Sequence, residues 1–299
     1  MHRTARLLTL IGVIVVVLAC SATDQPASSP GTVDVVATTT VFADLERQVG
    51  GTRVDVSSLV PKGGDVHTFD PKPGDILKLA GSAVVVMNGL GLDDWLTKFI
   101  ATSGASASVL KLGEGLDAVT YLKGDDGAIN PHVWMDVANT RRYVARIRDS
   151  LSSVDPAHAV DYAANAAHYD EQLATLDASI RADLAAIPAD HRKIIAYHDA
   201  FPYFAAAYGL QVVGTVVPSP GQDPSAGNMA DLVKVIRDQH VRAIFTEAQF
   251  SPKLVQQIGD ETGAKVEGNL YDDTLGDPPI DSYAGMMRWD ADRVLAALR

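Results

Sequence analysis

An α/β protein of two lobes with mostly parallel sheets, joined by one long helix, is the fold that this 299-residue sequence predicts. Three observations carry the prediction. Short apolar runs rich in valine and isoleucine alternate with amphipathic helical patterns, the order that builds parallel sheets. An Ala-rich helical pattern runs unbroken from Asp155 to about Ile187 and divides the alternating segments into two sets. Polar residues collect where the apolar runs end, which is where ligands sit in open α/β sheets.

Composition supports a folded chain: 47% of residues are hydrophobic and 21% charged, and the length accommodates two domains. A net charge of −12 argues against a nucleic-acid surface, which needs clustered Lys and Arg, and is compatible with a bound cation. The chain opens with Arg3 and Arg6, an apolar run over 7–19, and then Cys20, the single cysteine. That run is too short to span a membrane, which takes about 20 residues. Residues 1–19 read as a signal peptide similar to those of bacterial lipoproteins, with Cys20 as the lipidation site and 20–32 as a Ser/Pro/Ala-rich tether. The mature protein is thus expected on the outer face of the cytoplasmic membrane, held by a lipid. One cysteine excludes a disulfide framework and a Cys-based metal site.

The first lobe is expected over 33–153. Strand 33–37 leads to a helix capped by Thr39 or Thr40, with Phe42, Leu45 and Val49 on its apolar face and Gly50 and Gly51 at its end. Strand 54–60 stops at the turn Pro61, Lys62, Gly63, Gly64, and His67 follows in a polar loop. A helix over 73–80, a buried strand over 83–88, a helix over 92–100 and a strand over 109–112 come next. The heptapeptide NPHVWMD, 130–136, then sets His132 behind Pro131 and beside Trp134, just before a helix from Asp136 to Leu151. Proline fixes its own φ and biases Asn130 toward an extended conformation, so His132 leaves a stiff backbone.

The connecting helix is expected over 154–188, with Asp155 as its cap, Pro156 in its first turn and Pro188 closing it. At 1.5 Å per residue it would measure about 45–50 Å. His158 and His168 fall on different faces of it and read as surface histidines. The second lobe, 189–299, repeats the alternation. Strand 193–197 ends at His198, and a helix over 201–208 and a strand over 211–217 follow. Beyond a loop over 218–227 come a helix over 228–239 and a strand over 241–245 that runs into Thr246 and Glu247. A helix over 252–262, a strand over 266–271 ending in Asp272 and Asp273, and a last helix starting near Ile280 complete the chain.

His67, His132 and His198 therefore each stand beyond a strand or just before a helix, and an acidic pair ends the last strand. None has a local ligand spacing such as HExxH, so they reach one another only through the fold. Six stretches, GGDVHTFDP at 63–71, NPHVWMD at 130–136, YHDAFPYF at 197–204, PSPGQDPSAG at 218–227, IFTEAQFSPK at 244–253 and LYDDTLG at 270–276, resemble the metal-binding lipoproteins of zinc and manganese ABC transporters. These are the ZnuA/TroA/PsaA-type cluster A-I solute-binding proteins. Their motifs cover nearly the whole mature chain in the family's order.

The resemblance implies a rigid connecting helix, one metal ion per chain between the lobes, and His67, His132, His198 and Asp273 as its ligands. Asp273 is preferred to Asp272 because Thr274 and Leu275 match the small and apolar residues that follow the family's acid. It further implies a solute-binding protein rather than an enzyme, a monomer that hands its cargo to an ABC permease. Three imidazoles and one carboxylate suit Zn²⁺, with Mn²⁺ as the alternative. Asp70, Asp136, Asp199 and Glu247 are candidates to orient the histidines. Two departures stand out: Val66 replaces a residue that is commonly proline, and the His-rich insertion of many zinc-specific members is missing between Gly113 and Asn130. Two rival readings keep the architecture: a secreted zinc hydrolase with Glu247 as base and a metal-bound water, or a siderophore or corrinoid carrier in which the three histidines would not converge.

Overall fold

A computed structural model describes residues 31–124, 127–217 and 219–299; the signal peptide, Cys20 and nearly all of the tether lie outside them. The first half runs β1 (Val33–Ala37), α1 (Thr40–Gly50), β2 (Val54–Ser58), α2 (Pro73–Gly81), β3 (Val84–Met87), α3 (Trp95–Ser103), β4 (Ser108–Lys111) and α4 (Val137–Val154). After α5 (Ala159–Leu184) come β5 (Lys193–Ala196), α6 (Pro202–Tyr208), β6 (Gln211–Thr215), α7 (Ala226–Asp238), β7 (Ala243–Glu247), α8 (Lys253–Thr262), β8 (Lys265–Leu270) and α9 (Tyr283–Leu298).

The strands form two four-stranded sheets, ordered β2-β1-β3-β4 and β6-β5-β7-β8, and every pairing is parallel. The predicted two-lobed α/β fold is borne out. The central strand β3, Val-Val-Val-Met, is buried at all four positions, as a parallel strand covered on both faces requires. Both sheets carry the same strand order, so each reverses direction beside its first strand, between β1 and β3 and between β5 and β7. The carboxyl ends flanking such a switch point leave an open crevice.

One large apolar core spans both sheets and the helices between them; Trp134, Tyr143, Tyr162, Phe42, Phe201 and Tyr283 are among its fully buried side chains. In α5 the buried residues Tyr162, Ala166, Tyr169, Leu173, Ile180 and Leu184 recur at helical spacing and draw one stripe into that core. Removing Leu173, which is fully buried, would cost about 2–5 kcal/mol. Two smaller clusters line the outer faces: Leu79 of α2 and Leu96 of α3 cover the first sheet, and α7 and α8 cover the second.

The connecting helix differs from the expectation in length and capping. The α-helical part has 26 residues, about 39 Å long, and a 3-10 turn over Pro156–His158 precedes it. Asp155 caps no backbone N–H; its Oδ2 instead accepts from Tyr162 Oη at 2.7 Å and lies 2.6 Å from His158 Nδ1. At the far end the bias against helix before Pro188 turns the chain out early. The C-terminal helix ties the halves together: Tyr283 N donates to Asp44 Oδ2 at 2.8 Å, and Tyr283 Oη donates to Trp134 O at 2.7 Å.

Candidate metal centre

His67, His132, His198 and Asp273 come together between the sheets, with one ligand atom from each lying within 4.8 Å of the others. His67 is on the loop after β2; its N–H donates to Asp65 Oδ1 at 2.9 Å, and Thr68 Oγ1 donates to Asp65 Oδ2 at 2.6 Å. The His67 side chain is 20% exposed, whereas those of His132, His198 and Asp273 are at 3%, 2% and 0%. A cavity of about 440 Å³, walled in part by Leu90, Ile129 and Pro220, opens onto the three histidines.

Each buried histidine has its Nδ1 held by a neighbouring side chain. The Asn130 side chain donates through Nδ2 to Asp199 O at 2.7 Å, so its Oδ1 faces His132 and accepts from both the backbone N–H and Nδ1, each at 3.0 Å. An amide oxygen only accepts, hence the His132 proton sits on Nδ1 and the Nε2 lone pair points into the site. His198 Nδ1 lies 2.5 Å from Glu247 Oε2, and its backbone N–H donates to Glu247 Oε1 at 3.1 Å. With Nδ1 committed to a carboxylate, the His198 Nε2 also faces inward. The two Nε2 atoms are 3.3 Å apart.

Asp273 completes the ring of donors. Its Oδ2 is 3.2 Å from His67 Nε2 and 3.8 Å from His198 Nε2, and its Oδ1 is 3.6 Å from His132 Nε2. Both Asp273 oxygens and His67 Nε2 are buried without a partner in hydrogen-bonding geometry. Donors held about 2.0–2.1 Å from a tetrahedral ion stand about 3.3 Å apart, close to these separations. The set therefore fits a divalent cation, whose charge would satisfy what the protein leaves open.

The electrostatics agree. Burial pushes the His132 pKa well down, with Asp273 opposing and the other two imidazoles adding to the shift. At His198 burial also disfavours the charged form, but Glu247 and then Asp272 outweigh it and raise the pKa to about 10. Burial disfavours ionisation of Asp273 as well, yet His67 and then the other two histidines hold it below the usual carboxylate range. Asp272 behaves oppositely: burial, then Glu247 and Asp273, push it well up. The two adjacent acids are thus shifted in opposite directions, and Asp273 is the one whose two oxygens both face the histidines without a hydrogen bond. Asp272 is engaged at one oxygen, its Oδ1 accepting from Gln249 Nε2 at 2.8 Å, and its carbonyl accepts from Trp134 Nε1 at 3.0 Å.

Of the four acids expected to orient histidines, Glu247 touches one directly and Asp199 acts through Asn130. Asp136 instead caps α4, accepting from Ala138 N at 2.9 Å, and Asp70 is exposed. Asn130 itself was missed as an orienting group. Its signal was local: an Asn two residues before the histidine, across a proline, is placed to fold its side chain onto the following backbone. Glu247 is engaged by His198 on both oxygens, which leaves it poorly placed to serve as a hydrolytic base, and the convergence of the histidines removes the condition set for a siderophore or corrinoid carrier.

A profile described as ZnuA, zinc-uptake complex component A, periplasmic, matches residues 35–297. The iron-binding protein YfeA of Yersinia pestis is 30% identical over 296 residues, covering 98% of this chain and 95% of that protein. The manganese-binding lipoprotein MntA of Halalkalibacterium halodurans is 29% identical over 282 residues, covering 93% of each. Among solved structures, the periplasmic zinc binding protein TroA from Treponema pallidum superposes with a TM-score of 0.84 at 28% identity, covering 90% of this chain and 99% of that one.

Proposed function

As the chain belongs to the ZnuA family of metal-binding components of ABC transporters, we propose that its cargo is one Zn²⁺ ion, with Mn²⁺ the alternative, held by His67, His132, His198 and Asp273. The observation that carries this reading is the pair of inward-facing Nε2 atoms, 3.3 Å apart, beside a buried carboxylate with two unpartnered oxygens. Three nitrogens and an oxygen at that spacing favour zinc. The second free oxygen of Asp273 allows a fifth bond, which keeps the harder Mn²⁺ in view.

The lobes in this reading are 33–153 and 189–299, with 154–188 as a stiff connector that keeps the closing motion small. Residues 1–19 are removed, a lipid on Cys20 holds the protein to the outer face of the cytoplasmic membrane, and 20–32 gives it reach. No helix among the described residues is long and apolar enough to cross a membrane. The protein acts as a monomer that passes its ion to the permease subunit of the transporter, and it catalyses no reaction.

Metal content is the test. Chelator-stripped protein should take up one equivalent of Zn²⁺, and in competition Zn²⁺ should displace Mn²⁺. No uptake of either ion, or uptake undiminished in His198→Ala, would refute the site; tighter binding of Mn²⁺ would reverse the choice of cargo.

A further inference from the structure

Residues 88–95, the turn after β3 together with the first residue of α3, contribute nothing to the cluster of four, yet they grip the loops of both first-lobe histidines. Asn88 Nδ2 donates to Pro131 O at 2.9 Å, the carbonyl immediately before His132. Trp95 Nε1 donates to Val66 O at 3.1 Å, the carbonyl immediately before His67, and its ring packs against Phe69 with centroids 5.3 Å apart. A carbonyl held in place fixes the plane of the next peptide and with it the direction in which the following side chain departs.

The turn is built to hold its shape. Gly89, Leu90 and Gly91 have φ of 76°, 58° and 89°, and a leucine stays in the left-handed region only where its surroundings impose it. Asp93, fully buried, supplies the constraint: its carboxylate accepts from Asn88 N at 2.7 Å, Gly89 N at 2.9 Å and Thr38 Oγ1 at 2.8 Å. Thr38 follows β1, so the turn is bolted to the carboxyl end of that strand. The Asn88 amide is aimed by Tyr143 Oη, which donates to its Oδ1 at 2.7 Å.

We propose that residues 88–95 are a positioning bracket that sets the spacing of His67 and His132, whose ring centroids are 5.5 Å apart, and that Trp95 is the positioning residue for His67. The inference rests on the metal-binding reading above. His67 needs such a hold more than the other three: it is the most exposed of them, and the bonds at its own backbone and at Thr68 go to Asp65 within the same loop. The indole N–H fastens that loop to a braced turn at the residue before the ligand.

Trp95→Phe tests the assignment because it keeps an aromatic ring and removes the donor. The full chain loaded with Zn²⁺ is mixed with excess chelator to read the metal off-rate, and loaded with Co²⁺ to read ligand geometry from the visible spectrum. The off-rate should rise about fivefold, as loss of one neutral hydrogen bond implies, and the Co²⁺ bands should change in position or intensity. In a His67→Ala background the same substitution should add no further change, since the bracket acts through His67. Should Trp95→Phe not fold, Phe69→Leu, which loosens the packing against the indole, is expected to move both readouts in the same direction. An unchanged off-rate and spectrum in a metal-binding variant would overturn the bracket and leave the metal site standing, as would an equal rise with His67 already removed. Failure of the wild-type chain to take up either probe metal would overturn the metal reading and the bracket with it.

Discussion

The two sheets have the same strand order and put their switch points to different use. In the second sheet the crevice between β5 and β7 holds a proposed ligand: His198 leaves the end of β5, and Glu247, the last residue of β7, is bonded to it at 2.5 Å. In the first sheet the crevice between β1 and β3 holds Thr38, Asn88 and Asp93, which ligate nothing and brace a turn that holds two histidine-bearing loops. One sheet supplies chemistry at its edge, the other supplies framing. The comparison teaches that a repeated topology fixes where a site can form, while the side chains at each crevice decide whether that place binds or supports.

The largest effect should come from breaking the second crevice. His198→Ala removes a proposed ligand and takes from buried Glu247 its imidazole partner, leaving only the backbone N–H of residue 198; we expect metal affinity to fall by at least about a hundredfold and stability by about 3–5 kcal/mol, read by metal titration and by denaturant unfolding of the metal-free protein. Glu247→Gln keeps the shape and loses the charge, so affinity should fall about 10–100-fold, the range for a group that orients a metal-bound histidine.

Framing should cost less. Asp93→Asn leaves the turn an acceptor but weakens its hold on three donors, and because it acts two steps from the ion we expect the smaller end of that range, about tenfold. A loss at Asp93 as large as at Glu247 would erase the distinction between the two crevices.

Acidification acts on both lobes. Protons and metal compete for the imidazole lone pairs, so affinity should fall as pH falls. The raised pKa of His198, about 10, extends the competition to neutral and mildly alkaline pH, so a proton should leave as the ion enters. Titrations between pH 7.5 and 5 that gave one constant affinity would count against histidine ligation. The smallest effect should be optical: the Trp134 ring lies 5.2 Å from that of His132, and its fluorescence should shift on metal addition in a variant that keeps only that tryptophan.

How much of this was legible differs by level. Strands such as β3 were readable because a parallel strand buried on both faces is a continuous apolar run, and α1 because Thr39 caps it, its Oγ1 accepting from Phe42 N. The start of α5 departs from its sequence signal because Asp155 has the chemistry of a cap but is drawn to Tyr162 and His158 once the helix is packed. Asp136 has a side chain open to two roles, orienting acid and helix cap, and the structure uses it as the cap of α4.

From the sequence alone come the α/β class, the two sets of alternating elements, and the kinds of residue that wait at the strand ends, because periodicity and composition are local properties. The three histidines and the acidic pair stand out there by their places at strand ends; that they share one site, with Asp273 as its acid, came only through the resemblance of six motifs. Their convergence, the orientation of the His132 and His198 rings, the opposite shifts of Asp272 and Asp273, and the bracket over 88–95 depend on partners up to more than two hundred positions apart. Only the packing of the chain decides such distances, and with them which lone pairs face one another.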